Sequence, residues 1–177
     1  ESITDAIETY NFAEARNSIQ AFVWHDFCDE YIEAVKYRLY TDDPEMLDSK
    51  EAAQYSLKTV IETTLKLLSP LTPHFTEEVY QYLNPEGLSI HKTAWPEVEG
   101  DLISDEAEDL GETAVELIGD IRRFKSAYKM PLNTPIKFTA VYTENKGLYD
   151  DLNGLSEDIM GTMRIKDLKV EMGKPDV

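Results

Sequence analysis

Residues 11–40, NFAEARNSIQAFVWHDFCDEYIEAVKYRLY, contain the longest amphipathic pattern in the chain. Apolar side chains recur there at spacings of three and four residues, as on one face of an α-helix: Phe12, Ala15, Ile19, Phe22, Val23, Phe27, Tyr31, Ala34 and Val35. Asn11, followed three residues later by Glu14, forms a capping-box pattern that predicts where the helix begins. The pattern predicts one helix of about 45 Å that ends before the turn-forming residues 41–44.

Three further helical patterns follow, and they predict helices over about 48–68, 73–83 and 102–129. Asp48 and Thr72 are the expected caps of the first two, and Pro73 lies at a first helical position, where its missing N–H costs nothing. The stripes predict these buried side chains: Ala53, Leu57, Ile61, Leu65 and Leu68, then Phe75, Val79 and Leu83, then Leu110, Ala114, Leu117, Ile121, Phe124 and Tyr128.

After Pro131 the period changes to two, which predicts a half-buried strand over 136–142, then a short helix over 148–163 and a second strand over 165–172. We therefore expect a mainly α fold: an antiparallel four-helix bundle over 1–130, with a small β-α-β extension over 131–177. The extension is too small to be stable alone, so it must pack on the bundle or on another domain.

No catalytic or metal-binding constellation can be assembled from these residues. Cys28 is the only cysteine, and His25, His74 and His91 lie far apart in the sequence without an E-x-x-H pair. Cys28 lies beside the apolar stripe, where a partly buried inert thiol is expected. No apolar stretch approaches the ~20 residues of a membrane span, and no secretory signal opens the chain, so we expect a cytoplasmic protein without a membrane partner.

The charge distribution is uneven. The chain has 17 Lys and Arg against 35 Asp and Glu, a formal net charge of −18, which opposes binding to a polyanion. Between Glu97 and Glu116 there are nine acids and no base, whereas residues 121–140 contain five bases and no acid. A nucleic-acid function requires such local gathering of cations, although solvated helix faces explain charge blocks equally simply.

Four stretches resemble the anticodon-binding helical domain of class I aminoacyl-tRNA synthetases. Residues 22–40, FVWHDFCDEYIEAVKYRLY, are similar to the F-x-W-x-x-F-C-D-W-Y pattern of the valyl-tRNA synthetase family, with Glu30 where tryptophan is common. Residues 67–80, LLSPLTPHFTEEVY, resemble a motif shared by the valine, leucine, isoleucine and methionine enzymes. Similar matches are SIHKTAWP at 89–96 and IRRFKSAYKMPLNTPI at 121–136, the latter departing at Phe124-Lys125.

The resemblance implies a tRNA-binding domain of an enzyme that joins valine to its tRNA using ATP. Neither the HIGH-type nor the KMSKS-type signature of that family occurs, so this chain is expected to hold no cofactor and to catalyse nothing alone. The implied partners are the anticodon stem-loop of valine tRNA and the catalytic domain of the same polypeptide.

The candidate RNA-binding residues are Arg122, Arg123, Lys125, Lys129, Lys36, Arg38 and Trp24. The four cations of 122–129 flank the apolar stripe and are predicted to point outward, either to phosphates or to solvent at a helix end. Trp24 could stack on an unpaired base or pack in the core. The alternatives are a protein-interaction bundle without RNA binding, which the net charge favours, and an enzyme whose metal or nucleophile site is not evident.

Overall fold

The computed structural model describes residues 1–175, and it is mainly helical with one two-stranded parallel sheet. The helices are α1 (Ser2–Glu8), α2 (Phe12–Ala21), a π-helix (Phe22–Ile32), α3 (Glu33–Leu39), α4 (Leu47–Leu68), α5 (Pro73–Leu83), α6 (Asp105–Ala127), α7 (Lys146–Gly154) and α8 (Ser156–Met163). Short 3₁₀ turns cover Pro44–Met46, Ile90–Lys92 and Gly100–Leu102. The strands are β1 (Thr139–Thr143) and β2 (Leu168–Met172).

The predicted helix over 11–40 is helical throughout 12–39, but its central eleven residues are π-helical. Its start is confirmed: the Asn11 side chain accepts from the Glu14 amide and donates to the Glu14 carboxylate at 2.5 Å. Phe22, Phe27 and Tyr31 are separated by five and four residues, which suits the i→i+5 turn of a π-helix. Their rings stack with centroids 6.3 and 6.1 Å apart, so this aromatic row follows the wider turn.

The chain divides into two compact units. The first comprises Glu1–Ile32 and Asp42–Gly100, and the second comprises Glu33–Thr41 and Asp101–Val177. Helix α6 therefore groups with the residues that follow it.

The first unit contains α1, α2, the π-helix, α4 and α5. Pro73 begins α5 as predicted, but Thr72 makes no side-chain cap, and the predicted Asp48 cap of α4 is wrong because α4 begins at Leu47. Asp43 instead accepts from the Glu45 amide and caps the preceding 3₁₀ turn. Around α4 and α5 the core is formed by Leu65, Tyr80 and Ile90.

Several predicted core positions of the first unit are wrong. Phe12, Phe22 and Phe75 are exposed, whereas Thr76, next to Phe75, is fully buried. The Thr76 hydroxyl donates to the Thr72 carbonyl oxygen at 3.0 Å, which satisfies the hydroxyl and lets a polar side chain occupy the core-facing position.

The second unit is built around α6 and the β-α-β segment. The parallel strands run in register from Thr139↔Leu168 to Thr143↔Met172, with α7 and α8 as their crossover. The predicted single helix over 148–163 is thus two helices. The α6 residues Ile118 and Ile121 pack against the following core side chains of the extension: Leu152, Ile159, Met163 and Ile165.

Candidate nucleic-acid interface

The C-terminal end of α6 exposes aromatic rings beside cations. Phe124 and Tyr128 were predicted to be buried, but they are 52% and 69% exposed, with ring centroids 4.7 Å apart. The buried residues of α6 are Ile118, Ile121 and Lys125, so the core-facing side of the last turn passes through Lys125 and leaves Phe124 and Tyr128 in solvent. Arg123 is exposed and forms an ion pair with Asp120, while Arg122 is half-buried.

Lys125 does not point outward, so the predicted outward direction of its side chain is wrong. Its side chain is fully buried, and Nζ donates to the carbonyl oxygens of Leu132, Thr134 and Met163 at 2.8, 2.9 and 3.1 Å. Burial, together with the nearby charge of Arg164, lowers the pKa of Lys125. This ammonium joins the end of α6 to the following turn and to the end of α8.

Lys36 and Arg38 on α3 are engaged in ion pairs. Lys36 is exposed and pairs with Glu33, whereas the half-buried Arg38 pairs with Asp158 of α8. Tyr37 donates to the same Asp158 oxygen at 2.5 Å. Its pKa is raised mainly by burial and secondly by this hydrogen bond. Arg38 therefore fastens α3 to α8, which reduces its availability for phosphate.

Trp24 lies on the π-helix of the first unit and is 63% exposed, so it is not a core side chain. It lines a shallow groove of about 330 Å³ together with Asn17, Gln20, Ala21 and His25. An indole face beside two side-chain amides can stack on a flat ring and hydrogen-bond its edge.

Three cations outside the predicted site lie close to the end of α6. The Ile136 amide donates to the Arg164 carbonyl oxygen at 3.0 Å, and the Lys166 amide donates to the Ile136 carbonyl oxygen at 2.9 Å. These bonds bring Lys137, Arg164 and Lys166 onto neighbouring backbone segments. The sequence pattern that could have identified Arg164 and Lys166 is their alternation with the apolar Ile165. In the structure Ile165 forms a parallel bridge with Ile136.

We call the following six residues the basic end: Arg122, Arg123, Lys129, Lys137, Arg164 and Lys166. The segments 121–138 and 163–166 that contain them have no Asp or Glu. Within residues 1–175, Lys129, Lys137, Arg164 and Lys166 form no ion pair. Two helix C-termini meet there, which favours positive charge. The basic end is thus a local reversal of the overall charge.

The described residues do not bring nucleophilic or metal-binding side chains together into a cluster. Cys28 is exposed, contrary to the expectation of partial burial, and no group of three or more potential metal ligands occurs within residues 1–175. In the same residues, no helix is both long and apolar enough for a membrane span.

Glu77 accepts three hydrogen bonds that the sequence did not predict. Its carboxylate accepts from Ser89 Oγ and the Ile90 amide, both at 2.9 Å, and from Gln81 Nε2 at 3.0 Å. Desolvation raises the pKa of Glu77, but these hydrogen bonds outweigh it and lower the pKa below its ordinary 4.5. The ionised carboxylate therefore fixes the Ile90–Lys92 turn against α5.

Neutralising Glu77 should destabilise the protein near neutral pH but not in acid. A lowered carboxyl pKa contributes stability above pH 4.5, and this contribution is lost as the pH falls through the folded-state value. The difference in unfolding free energy between wild type and Glu77→Gln should therefore shrink from pH 7 to pH 3 in denaturant titrations. Glu78→Gln, at the exposed neighbouring position, controls for loss of charge, and an equal pH dependence in both variants would contradict the role of Glu77.

The fold and surface together define a class: a mainly helical module whose exposed cations and aromatic rings are the side chains used by RNA-binding proteins. The chain belongs to the family described as the anticodon-binding domain of tRNA ligase, whose profile matches residues 1–140. The family predicted from the motifs is thereby confirmed.

Valine–tRNA ligases are among the relatives. The enzyme of Methanothermobacter thermautotrophicus is 52% identical over 176 residues, which cover 99% of this chain and 19% of that enzyme. Those of Methanocaldococcus jannaschii and Pyrococcus abyssi are 42% and 38% identical, over 99% and 98% of this chain and 19% of each enzyme. The chain thus spans about a fifth of the length of these relatives.

Proposed function

We propose that this chain binds tRNA and, as part of a valine–tRNA ligase, holds the anticodon arm of valine tRNA. The parent enzyme would attach valine to tRNA in a catalytic domain that also binds ATP, outside these residues. We further propose that the helices of residues 1–130 form the antiparallel bundle expected of the family. Residues 131–177 are then a β-α-β extension of that bundle. The lone cysteine suits the reducing cytoplasm.

The observation that carries this proposal is the exposed end of α6. Arg123 and Lys129 flank Phe124 and Tyr128, so cations for phosphate and rings for bases occupy one helix end. Exposing two aromatic side chains forgoes stabilisation of about 1.5–3 kcal/mol for each fully buried ring, so the exposure favours a binding role.

The groove at Trp24 supports a second RNA contact in the first unit. We take Trp24 to stack on an unpaired base of the anticodon loop, with the amides of Asn17 and Gln20 as hydrogen-bonding partners for its edge. Stacking of this kind contributes about 1–3 kcal/mol per base.

Charge reversal at Arg122 and Arg123 tests the proposed RNA contact. We expect Arg122→Glu/Arg123→Glu to weaken binding of valine tRNA about tenfold at 0.1 M salt, because phosphate contacts are lost. The slope of log Kd against log salt concentration should fall by roughly 1 to 2. Filter binding or fluorescence anisotropy over a salt series measures both quantities.

The matched control is Lys146→Glu/Lys174→Glu. It likewise reverses two cations, one of them in an ion pair with a carboxylate, and both lie exposed at the opposite end of the parallel strands. This control should bind tRNA within twofold of wild type. Equal weakening in both double variants would reduce the effect to net charge, and no weakening in either would exclude the end of α6 from the tRNA contact.

A protein-interaction module is the second candidate function. Tyr10, Tyr40 and Tyr82 are among many exposed large hydrophobic side chains, and the net charge is −18. If an anticodon stem-loop causes no gel shift at low salt while a protein partner is retained on the immobilised chain, this second function replaces the first.

A further inference from the structure

The two helix ends beside Lys125 share an unusual backbone conformation. Lys129, after α6, has φ 53°, and Arg164, at the end of α8, has φ 55°. Glycine or asparagine usually takes this left-handed position at a helix end, because a side chain with a Cβ costs roughly 1–2 kcal/mol there. In this protein both positions hold a cation.

Arg164 is unfavourable for stability in a second way. Its charge adds to burial in lowering the pKa of Lys125, so the two cations repel each other across a partly desolvated space. Glycine at position 164 would relieve both the backbone strain and this repulsion. A strained and exposed residue of this kind is typical of functional positions, where stability is reduced in favour of activity.

The register of the extension brings Arg164 and Lys166 to the end of α6. Both flank Ile165, which pairs with Ile136, and the Lys125 ammonium ties the Met163 carbonyl oxygen to the last turn of α6. Neighbouring strands lie about 4.8 Å apart, so Lys137 and Lys166 lie within reach of one stretch of a charged polymer. Neither Arg164 nor Lys166 forms an ion pair in the part of the chain described.

We propose that Arg164 and Lys166 bind phosphate groups of the RNA that contacts the end of α6. The extension after residue 140, beyond the span of the family match, is then part of the RNA-binding surface and not only a structural support. The Arg164 guanidinium can bind one phosphate through two parallel hydrogen bonds, and Lys166 adds a point charge. This inference rests on the tRNA binding proposed above.

Substitution by glycine separates an RNA-binding role from a structural one. Arg164→Gly should leave the melting temperature unchanged or slightly raised, since it relieves the left-handed strain. It should weaken binding of valine tRNA about sixfold at 0.1 M salt, and Arg164→Gly/Lys166→Gln should weaken it about 40-fold. The salt slope should fall by about 0.7–0.9 for each cation removed.

Two controls accompany these variants. Tyr10→Gly replaces a third non-glycine residue of positive φ, an uncharged one with φ 58°, and should leave the salt slope unchanged. Arg164→Lys should retain most of the affinity. If wild type binds tRNA and Arg122→Glu/Arg123→Glu weakens it, but Arg164→Gly/Lys166→Gln binds like wild type, the extension has no role in RNA binding. If wild type itself does not bind tRNA, the proposed function fails instead.

Discussion

Replacement of Lys125 by methionine should lower the free energy of unfolding by about 2–4 kcal/mol, although methionine is apolar and similar in length. The carbonyl oxygens of Leu132, Thr134 and Met163 would lose their common donor; the bond to Met163 is buried, and the other two are partly buried. Each unsatisfied buried acceptor costs about 1–3 kcal/mol, and removing one partner of a buried charged network costs more than replacing the whole network.

Urea denaturation followed by circular dichroism measures this loss, with Lys137→Met as the matched control. Lys137 is an exposed cation of the same basic run, so its substitution should change the unfolding free energy by no more than about 0.5 kcal/mol. Wild-type stability in Lys125→Met would mean that water satisfies the three carbonyl oxygens after the ammonium is removed.

Hydrophobic periodicity predicted the elements well where one helix face decides burial. Asn11 and Pro73 marked the starts of α2 and α5, and the change of period after Pro131 marked the strand region. Local signals sufficed there because capping and alternation depend on residues close in sequence. The two helices α7 and α8 appeared as one because Gly154 and Leu155 interrupt the pattern only briefly.

Side-chain direction at the end of α6 could not be predicted from local pattern. Lys125 and Phe124 exchange their expected places: the cation is buried and the ring is exposed. The reason lies far along the chain, because one acceptor of the ammonium is Met163, 38 residues away. The hydrophobic pattern predicts that this lysine is exposed to solvent. Its aliphatic chain can nevertheless pack in the core, because three carbonyl oxygens there accept hydrogen bonds from its ammonium group.

Each candidate cation was predicted from its place on its own helix. Tertiary contacts decide which cations are paired with carboxylates and which lie together. Arg38 and Lys36 are engaged by Asp158 and Glu33, whereas Arg164 and Lys166 join the basic end. The register of a parallel pair with a helical crossover brings these distant residues together, and that register depends on which apolar side chains pack on α6. The sequence therefore predicted the charge asymmetry but only part of the surface that carries it.

Substitution of Gly161 by alanine should lower the free energy of unfolding by about 3 kcal/mol, even though alanine is the better helix former. A Cβ at position 161 of α8 would lie 2.5 Å from Cδ2 and 2.6 Å from Cγ of Tyr37, which is closer than non-bonded atoms approach. The Tyr37 ring cannot turn away easily, because its hydroxyl donates a hydrogen bond to Asp158, which precedes Gly161 by about one turn of α8. The Thr162 hydroxyl also donates to the Ala34 carbonyl oxygen at 3.0 Å, so α3 and α8 cannot separate without further loss.

A double-mutant cycle with Tyr37→Leu isolates this close approach of α3 and α8. In the Tyr37→Leu background the smaller side chain leaves room for a Cβ, so Gly161→Ala should become neutral or slightly stabilising. Gly111→Ala in α6 is the matched control: nothing lies within 4 Å of its added Cβ, and it should stabilise by roughly 0.5–1 kcal/mol through helix propensity. Should Gly161→Ala also stabilise the protein in the presence of Tyr37, α3 would not pack on α8 at this distance, and Asp158 could not hold Arg38 and Tyr37 together.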